Sequence, residues 1–324
     1  MKFLIGLTAL ILIALHGSAF AQGHWQMMPP SPTARTEVAA TQLDGKIYVV
    51  GGFTPKGVTD KVEAFDPASG RWSELAPLPQ PLHHAAIAAY QNKLYVIGGF
   101  SGGMWTPLDS TYAYDPADDK WTQKAPMPSP RGALAVGVIN GKIYAVAGAK
   151  KSFFRLVNSS ANEEYDPVTD QWKKRAPIPS PRDHLTVSVV DGILYAIGGR
   201  INVNYNKNLD INEAYDPASD RWIKKSSLPT ARSGITSQTL GGKIFVFGGE
   251  TGGGTFNQNE AYNPKTNRWD TMAPMPSACH GLGSAVIGEK IHLLNGGPKP
   301  GGRGSRFHQI FSLKPLREKQ EKSR

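Results

Sequence analysis

The sequence contains a single cysteine, Cys279, among its 324 residues. One thiol cannot form a disulfide within the chain, so packing and hydrogen bonding alone must hold the fold together. This excludes the class of small secreted domains that several disulfides stabilise. Charged residues are also few, at 19%, whereas apolar residues make up 40% of the chain, which is enough to fill a sizeable core.

Long hydrophobic runs are missing after the N-terminal segment. That segment has one cation, Lys2, then an apolar run over residues 3–15, and the small residues Ala19 and Ala21. The pattern predicts a signal peptide over residues 1–21 with cleavage near Ala21, because the run is short for a membrane span of about 20 residues. We therefore expect a secreted or periplasmic protein with no membrane span in its mature chain. The missing disulfide favours the periplasm.

Local catalytic and cofactor signatures are missing as well. The sequence contains no HExxH, GxSxG or P-loop pattern, so neither a cofactor nor a metal site is expected from local spacing. The formal net charge is +10, and the basic segment 314–324, which lacks a core pattern, is predicted to be a disordered tail. Nucleic acid is not an expected partner, because the other cations are scattered and the chain is predicted to be exported.

What the sequence does contain is a repeat. The phrase YDPASDRW at residues 215–222 returns as FDPASGRW at 65–72, YDPADDKW at 114–121, YDPVTDQW at 165–172 and YNPKTNRW at 262–269. Six tryptophans follow one another at intervals of 47 to 51 residues: Trp25, Trp72, Trp121, Trp172, Trp222 and Trp269. A Gly-Gly pair keeps the same period, except in the third copy, which reads Ala147-Gly148-Ala149. Such a period predicts copies of one supersecondary unit packed side by side.

Each unit can be divided into four short strands. An apolar stretch such as 133–139 precedes a two-residue turn, Asn140-Gly141 in that copy, of the kind that type I′ hairpins prefer. A second apolar run ends in the glycine pair. After a variable loop, the third strand ends in the Tyr-Asp-Pro block, where Asp and Pro set a turn. The tryptophan lies on the fourth strand, where its ring can pack against the neighbouring sheet.

These features resemble the kelch repeat, in which a Gly-Gly pair is followed by a spaced aromatic residue and a tryptophan. The resemblance covers roughly residues 24–313, and it implies an all-β fold, a six-bladed kelch-type β-propeller over residues 22–313. The sixth unit has three strands of its own, HGLGSAV, KIHLLNGG and HQIFSL. We therefore expect segment 24–28 to supply the fourth strand of the last blade and so to close the ring.

Function is expected where the copies differ, because residues shared by every blade hold the scaffold. Ten residues after the tryptophans stand Arg35, Leu82, Arg131, Arg182, Arg232 and Cys279, and the two exceptions are followed by His83 and His280. Two residues further on stand Glu37, His84, Ala133, His184, Gly234 and Gly281. In kelch propellers these positions begin the innermost strand, at the mouth of the central channel. The arginines are therefore candidates for ligand binding, with bonding to carbonyls of neighbouring blades as the structural alternative.

In kelch propellers the loops between second and third strands open on the same face. Here they carry Phe53, Lys56, Trp105, Lys150, Lys151, Phe153, Phe154, Arg155, Arg200, Tyr205, Lys207, Glu250, Phe256, Arg303 and Arg306. Aromatic residues beside cations commonly mark binding surfaces. The predicted ligand-binding set is Arg35, His83, Arg131, Arg182, Arg232, His280, Trp105, Phe153, Arg155, Arg200 and Tyr205. We expect a binding protein rather than an enzyme, with a protein partner or an anionic ligand at this basic face.

Catalysis stays open as the alternative. Exported bacterial sialic acid mutarotases are six-bladed kelch propellers, and this more distant resemblance implies a periplasmic mutarotase or epimerase acting on an acidic sugar. Its candidates for proton transfer are Glu250, Glu37, His84 and His184. The kelch propeller of galactose oxidase would imply copper held by Tyr and His beside a Tyr–Cys cross-link, for which Cys279 is the single cysteine. A generic metal site would draw on His83, His84, His184, His280 and Cys279, if ring geometry brings them together.

Overall fold

The computed structural model describes residues 22–102, 105–301 and 303–315. The predicted signal peptide and residues 316–324 of the predicted tail lie outside the described residues. Within these ranges all regular structure is β-strand, and no helix forms. The same ranges accordingly hold no helix that is long and apolar enough to cross a membrane.

The strands are short and follow one another along the chain with the predicted period. Up to the second blade they are β1 (His24–Met27), β2 (Ala39–Leu43), β3 (Lys46–Val50), β4 (Phe53–Thr54), β5 (Gly57–Val58), β6 (Val62–Asp66), β7 (Arg71–Leu75), β8 (Ala86–Tyr90), β9 (Lys93–Ile97), β10 (Phe100–Ser101), β11 (Thr106–Pro107), β12 (Thr111–Asp115) and β13 (Lys120–Gln123). The third and fourth blades contain β14 (Ala135–Ile139), β15 (Lys142–Val146), β16 (Ala149–Ser152), β17 (Arg155–Asn158), β18 (Asn162–Asp166), β19 (Gln171–Lys174), β20 (Thr186–Val190), β21 (Ile193–Ile197), β22 (Arg200–Ile201), β23 (Asn204–Asn208), β24 (Asn212–Asp216) and β25 (Arg221–Lys224). The remaining strands are β26 (Thr236–Leu240), β27 (Lys243–Phe247), β28 (Glu250–Thr251), β29 (Gly254–Thr255), β30 (Asn259–Asn263), β31 (Arg268–Thr271), β32 (Gly283–Ile287), β33 (Lys290–Leu294) and β34 (His308–Ser312).

Six four-stranded antiparallel sheets form the blades of a propeller, as predicted. Their innermost strands β2, β8, β14, β20, β26 and β32 contact one another in cyclic order, and β32 contacts β2. In the first five blades a two-stranded hairpin joins the second strand to the third: β4–β5, β10–β11, β16–β17, β22–β23 and β28–β29. We call the end of the propeller that carries these hairpins the top face.

The ring closes as predicted, by mixing the two ends of the chain. Strand β1 pairs antiparallel with β34 and becomes the outer strand of the sheet β32-β33-β34-β1. The indole N–H of Trp25 in β1 donates to the carbonyl of Ala273 in the fifth blade, at 2.9 Å. Because β1 pairs with β34, the outer edge of β34 is hydrogen-bonded, and the sixth sheet has four strands like the others.

In four of its five copies the repeated phrase fastens its blade to the preceding one, in an arrangement that we call the latch. In the third blade the carboxylate of Asp170 accepts hydrogen bonds from the Tyr165 hydroxyl at 2.6 Å and from the N–H of Ala125, in the preceding blade, at 2.9 Å. The indole N–H of Trp172 donates to the carbonyl of the same Ala125 at 2.9 Å. Asp119, Asp220 and Asn267 repeat the arrangement. The phrase is therefore architectural.

The glycine pairs bring each second strand close to the next blade. Gly99 donates its N–H to the carbonyl of Arg131 at 3.0 Å, and a Cβ atom built on Gly98 would lie 2.5 Å from that oxygen. In the third copy Ala147 stands at the position of the first glycine, with a φ of 59°, and Gly148 donates to the carbonyl of Arg182 at 2.9 Å. The backbone path is therefore kept where the sequence departs from the repeat.

The central channel is lined by the innermost strands and has a volume of about 610 Å³. The described residues along its wall are uncharged, and most are small, as at Ala88, Val136 and Ser188. Ionisable side chains instead gather at its top end, where the innermost strands begin.

Candidate functional site

The structure places the four repeated arginines in the scaffold. Arg131 is fully buried, forms an ion pair with Glu163, and donates to the carbonyl of Ala145 at 2.8 Å. Arg35, Arg182 and Arg232 make the matching pairs with Glu63, Glu213 and Glu260. The carbonyls that they bond lie in the arginine's own blade, and not in the neighbouring blade as the structural alternative expected. These guanidinium groups have no exposed surface for a ligand, which corrects their place in the predicted binding set.

Two residues beyond those arginines lies a closed ring of backbone hydrogen bonds, which we call the neck ring. Its members are Glu37, His84, Ala133, His184, Gly234 and Gly281. Each donates its N–H to the carbonyl of the member in the preceding blade at 2.9 to 3.2 Å, except between Glu37 and Gly281, where Val38 donates at 3.3 Å. All six have φ between 52° and 65°, the left-handed region that side chains other than glycine seldom adopt. The ring therefore holds Glu37, His84 and His184 in a constrained backbone that aims them at the channel mouth.

Around the neck ring, ionisable side chains from five blades and their hairpins form a buried group that we call the mouth cluster. Its members are Glu37, His83, His84, Asp183, His184, Arg200, Glu250 and His280. The Glu37 carboxylate lies between two imidazoles, with Oε1 at 2.9 Å from Nδ1 of His280 and Oε2 at 3.1 Å from Nε2 of His84. The candidates predicted for proton transfer are thus brought together.

The remaining members orient this centre. His184 shares a hydrogen bond of 2.6 Å between its Nδ1 and Oδ1 of Asp183. Arg200 donates to Oε1 of Glu250 at 2.6 Å and also lies 3.5 Å from Asp183. Arg200, predicted to bind a ligand from its loop, is therefore buried and shared by two carboxylates.

The electrostatics favour the ionised form of Glu37 and the neutral forms of His83 and His84. Burial opposes ionisation of Glu37, but attraction to His84, and then to His280 and His184, holds its pKa well below the usual value. Burial lowers the pKa of His83 to about 4 and the pKa of His84 well below its usual value, against the pull of Glu37. Burial also disfavours the charged form of His280, yet Glu37 and then Glu250 raise its pKa. Glu37 and His280 are therefore the pair in the cluster whose neighbours favour their charged forms.

Aromatic side chains cover the mouth cluster. The ring of Trp105 lies 4.9 Å from that of His83 and 4.7 Å from that of His84, between centroids. Phe53 packs on His83 at 4.1 Å. Trp105 also has a φ of 52°, an unusual backbone for so bulky a residue. Predicted as a binding-face aromatic, it packs against the histidines as part of a cover.

The remaining residues of the predicted ligand-binding set, Phe153, Arg155 and Tyr205, are exposed. Phe153 and Phe154 are 92% and 98% exposed at the tip of β16–β17, and Arg155 beside them is exposed. Tyr205 is exposed and its ring lies 5.6 Å from Cζ of Arg200.

Cys279, a candidate for the generic metal site, lies in the apolar core, where burial raises the pKa of its thiol to about 12. It therefore does not lie with the histidines of the mouth cluster.

Sequence reasoning missed two groups of residues that the repeat itself contains. Asp183 stands eleven residues after a tryptophan, at the same position as His83 and His280, so comparing the copies there would have marked it. The partners of the arginines were missed as well. Glu occurs at the matching third-strand position in the four blades with Arg, whereas the blades with Leu82 and Cys279 have Tyr112 and Gln309 there.

Comparisons with known proteins agree with this architecture. Among solved structures, that of YjhT superposes with a TM-score of 0.76, covering 87% of this chain and 95% of that chain at 15% identity, a level that shows the fold alone. Among curated proteins, Kelch-like ECH-associated protein 1A of Danio rerio is 49% identical over 35 residues, which are 11% of this chain and 6% of that protein. The chain's match thus spans a small fraction of that relative's length.

The family models give the broader match. The model described as the KLHDC2/KLHL20/DRC7 Kelch-repeats domain matches residues 12–148 and 159–322, and the Kelch motif matches residues 130–179. Since the first match covers well over half of the chain, and six four-stranded blades repeat along it, the protein belongs to the kelch-repeat family.

Proposed function

We propose that the protein is a binding protein, and that its top face takes a protein partner through the hairpin β16–β17. The observation that carries this proposal is the exposure of Phe153 and Phe154, 92% and 98%. Burying such a side chain is worth roughly 1.5–3 kcal/mol, so two adjacent rings on a paired hairpin are suited to anchor an interface.

The charge of the hairpin indicates the kind of partner. Lys150, Lys151 and Arg155 are exposed on the same two strands, and segment 149–158 contains no acidic residue. Cations at the rim of an apolar anchor select a partner whose own apolar pocket is bordered by carboxylates. The kelch family, whose propellers commonly bind proteins, is consistent with this use.

Site-specific photocrosslinking tests the proposal. A photoreactive phenylalanine analogue placed at Phe154 should crosslink to a defined partner in an extract of the cells that make the protein. The matched control carries the analogue at Val168, which is 70% exposed in the turn between β18 and β19, at the end of the propeller opposite the hairpins.

The crosslink should disappear when Phe153→Ser and Lys150→Glu are added to the variant labelled at 154. Equal crosslinking from positions 154 and 168, or a crosslink that survives these two changes, would contradict the proposal.

We also propose that the protein is exported and cleaved near Ala21. Gln22 already takes part in ring closure, since its carbonyl accepts the N–H of Ala273 at 3.0 Å. Cleavage at that point would leave β1 whole. N-terminal sequencing of protein recovered from the periplasm or the medium should therefore begin at Gln22, and a retained leader would contradict export with cleavage.

Sugar mutarotation is the second candidate, because Glu37 and His280 form an acid–base pair at the channel mouth. Two observations count against it. The one arginine of the mouth cluster, Arg200, is already shared by Asp183 and Glu250. The cavity at the neck ring has a volume of about 100 Å³, whereas small-molecule sites usually exceed about 300 Å³. Anomer exchange of an acidic sugar, followed by NMR, should be no faster with the protein than without it. Acceleration that Glu37→Gln abolishes would favour the enzyme.

A further inference from the structure

We propose that the mouth cluster is a zinc site, in which Glu37, His84 and His184 hold the ion and a fourth position faces the neck cavity. One carboxylate and two imidazoles are a ligand set that binds Zn²⁺ with an open coordination position. The exposed tip of the hairpin β16–β17 supplies none of these donor atoms, so zinc binding can be tested independently of the protein-binding proposal.

The first argument is the convergence of the donor atoms. Donor atoms of Glu37, His84 and His184 all lie within 4.8 Å of one another. Oε2 of Glu37 and Nε2 of His84 are 3.1 Å apart, close to the separation of about 3.3 Å that two ligands have across a tetrahedral zinc with bonds of about 2.0 Å. The donors are therefore near their bound positions, although the residues come from three different blades.

The second argument is that the two imidazole nitrogens that would bind the ion form no hydrogen bond with the described residues. Nε2 of His84 and Nε2 of His184 are buried, and neither makes a hydrogen bond within the described part of the chain. His84 approaches Glu37 without the alignment that a hydrogen bond requires. Buried polar atoms normally find a partner, and an ion placed between these atoms would serve all three residues at once.

The third argument is the support behind the ligands. Histidines that bind metals usually have their other ring nitrogen fixed by a carboxylate or a carbonyl. Nδ1 of His184 is bound to Asp183 at 2.6 Å, which leaves its Nε2 facing the site. His280, whose Nε2 lies 3.0 Å from the carbonyl of Lys299, places its Nδ1 2.9 Å from the other oxygen of Glu37.

Charge and space are also suitable. Besides its imidazoles, the mouth cluster contains three carboxylates and one guanidinium, and this excess of acidic groups suits a divalent cation. A cavity of about 100 Å³ at the neck ring leaves room for a water molecule in the fourth position. A second group, Glu37, Glu250 and His280, also converges, but Arg200 already occupies Glu250 at 2.6 Å, so we assign the ion to the first group.

Zinc binding to full-length mature protein, purified without a histidine tag and stripped with a chelator, tests the site. Equilibrium dialysis should give one Zn²⁺ per chain at micromolar concentration, and Co²⁺ should give the visible absorption of a tetrahedral site. His184→Gln and Glu37→Gln should bind zinc at least tenfold more weakly. Asp183→Asn should weaken binding about ten- to hundredfold, because it acts through His184.

His24→Gln is the matched control, since His24 is exposed on β1, and it should bind zinc as the unchanged protein does. Circular dichroism establishes that each variant is folded, and if Glu37→Gln is not, the two substitutions in the fourth blade carry the test. Absence of zinc uptake, equal uptake by His184→Gln, or loss of zinc from His308→Gln in its place would each overturn the site.

Discussion

At the scale of single residues, the neck ring shows how hydrogen bonds between blades stabilise a strained backbone conformation. Its six members adopt left-handed backbone, which costs about 1–2 kcal/mol for a residue with a Cβ atom. The cost is offset because every member's carbonyl accepts a hydrogen bond from the adjacent blade. The sequence predicted that these positions meet at the channel mouth. It could not show the strain, which depends on closing the whole ring.

Substitution of the two ring glycines should separate backbone strain from steric conflict. Gly281→Ala would place a Cβ atom 2.5 Å from Cδ of Glu37, whereas the nearest atom to a Cβ on Gly234 is 3.4 Å away. Both have similar φ, 57° and 65°. We expect Gly234→Ala to lower the free energy of unfolding by about 1 kcal/mol and Gly281→Ala by about 2–4 kcal/mol. Urea titration measures both, and equal losses would contradict the steric argument.

The arginine–glutamate pairs give a second test at this scale, with a replacement that the chain itself provides. Removing one partner of a buried ion pair typically costs about 3–5 kcal/mol, because the other charge is left buried. Arg182→Leu alone should therefore destabilise the fold by this amount. Arg182→Leu with Glu213→Tyr copies the second blade, which has Leu82 and Tyr112, and should recover most of the loss. Thermal unfolding of the single and double variants decides this, and no recovery would mean that the blades are not interchangeable.

At the scale of elements, hairpins were predictable and their inner boundaries were not. Asn140 and Gly141 both have positive φ, as a type I′ turn requires. The strand predicted over residues 133–139 begins instead at Ala135, because Ala133 belongs to the neck ring with a φ of 52°. An apolar run therefore predicts that a strand exists, whereas its first residue is fixed by contacts with the neighbouring blade.

The latch also explains the one phrase that departs from the others. FDPASGRW has Phe65 where the other copies have Tyr and Gly70 where they have Asp or Asn. The residue that this latch would fasten is Pro29, which has no N–H to donate. Consistently, the indole N–H of Trp72 has no partner in the described part of the chain.

Removing an intact latch should therefore weaken one junction between blades. Asp170→Ala leaves the Tyr165 hydroxyl and the N–H of Ala125 without their acceptor, so we expect a loss of about 1–3 kcal/mol in the free energy of unfolding. Gly70→Asp, the control at the junction with Pro29, should give no gain in stability. Chemical denaturation of the two variants measures the difference, and stabilisation by Gly70→Asp would show that this junction accepts a latch.

At the scale of the whole molecule, the sequence period predicted the ring of blades, but it did not predict the contacts among the side chains that the ring brings together. The tryptophan spacing indicated six blades, and segment 24–28 was identified as the closing strand, which β1 confirms. The mouth cluster unites residues from position 37 to position 280, so its distances exist only after closure. Exposure could not be predicted for the arginines either, because scaffold and binding arginines occupy similar sequence patterns.

The junction between the last and the first blade should be sensitive to acid. His292 and His308 are buried with Nδ1 of the former 2.9 Å from Nε2 of the latter, and the ring of His308 lies 4.8 Å from that of Phe65 in the first blade. Burial, then repulsion from His308 and Lys290, lowers the pKa of His292 to about 3, and burial lowers the pKa of His308 to about 4. An unfolded chain takes up these protons near pH 6.5, so below that pH it binds more protons than the folded protein.

Stability should therefore fall as the pH drops from about 6.5 towards 4, by about 1–2 kcal/mol for each of the two histidines at pH 5 relative to pH 7.5. Urea midpoints measured across this range, for the protein and for His292→Gln with His308→Gln, isolate the contribution of the pair. The double variant should lose less stability on acidification, because its glutamines do not titrate, while the buried histidines of the mouth cluster act equally in both proteins. Parallel pH profiles for the double variant and the unchanged protein would mean that the pair is not the acid-sensitive element of the ring.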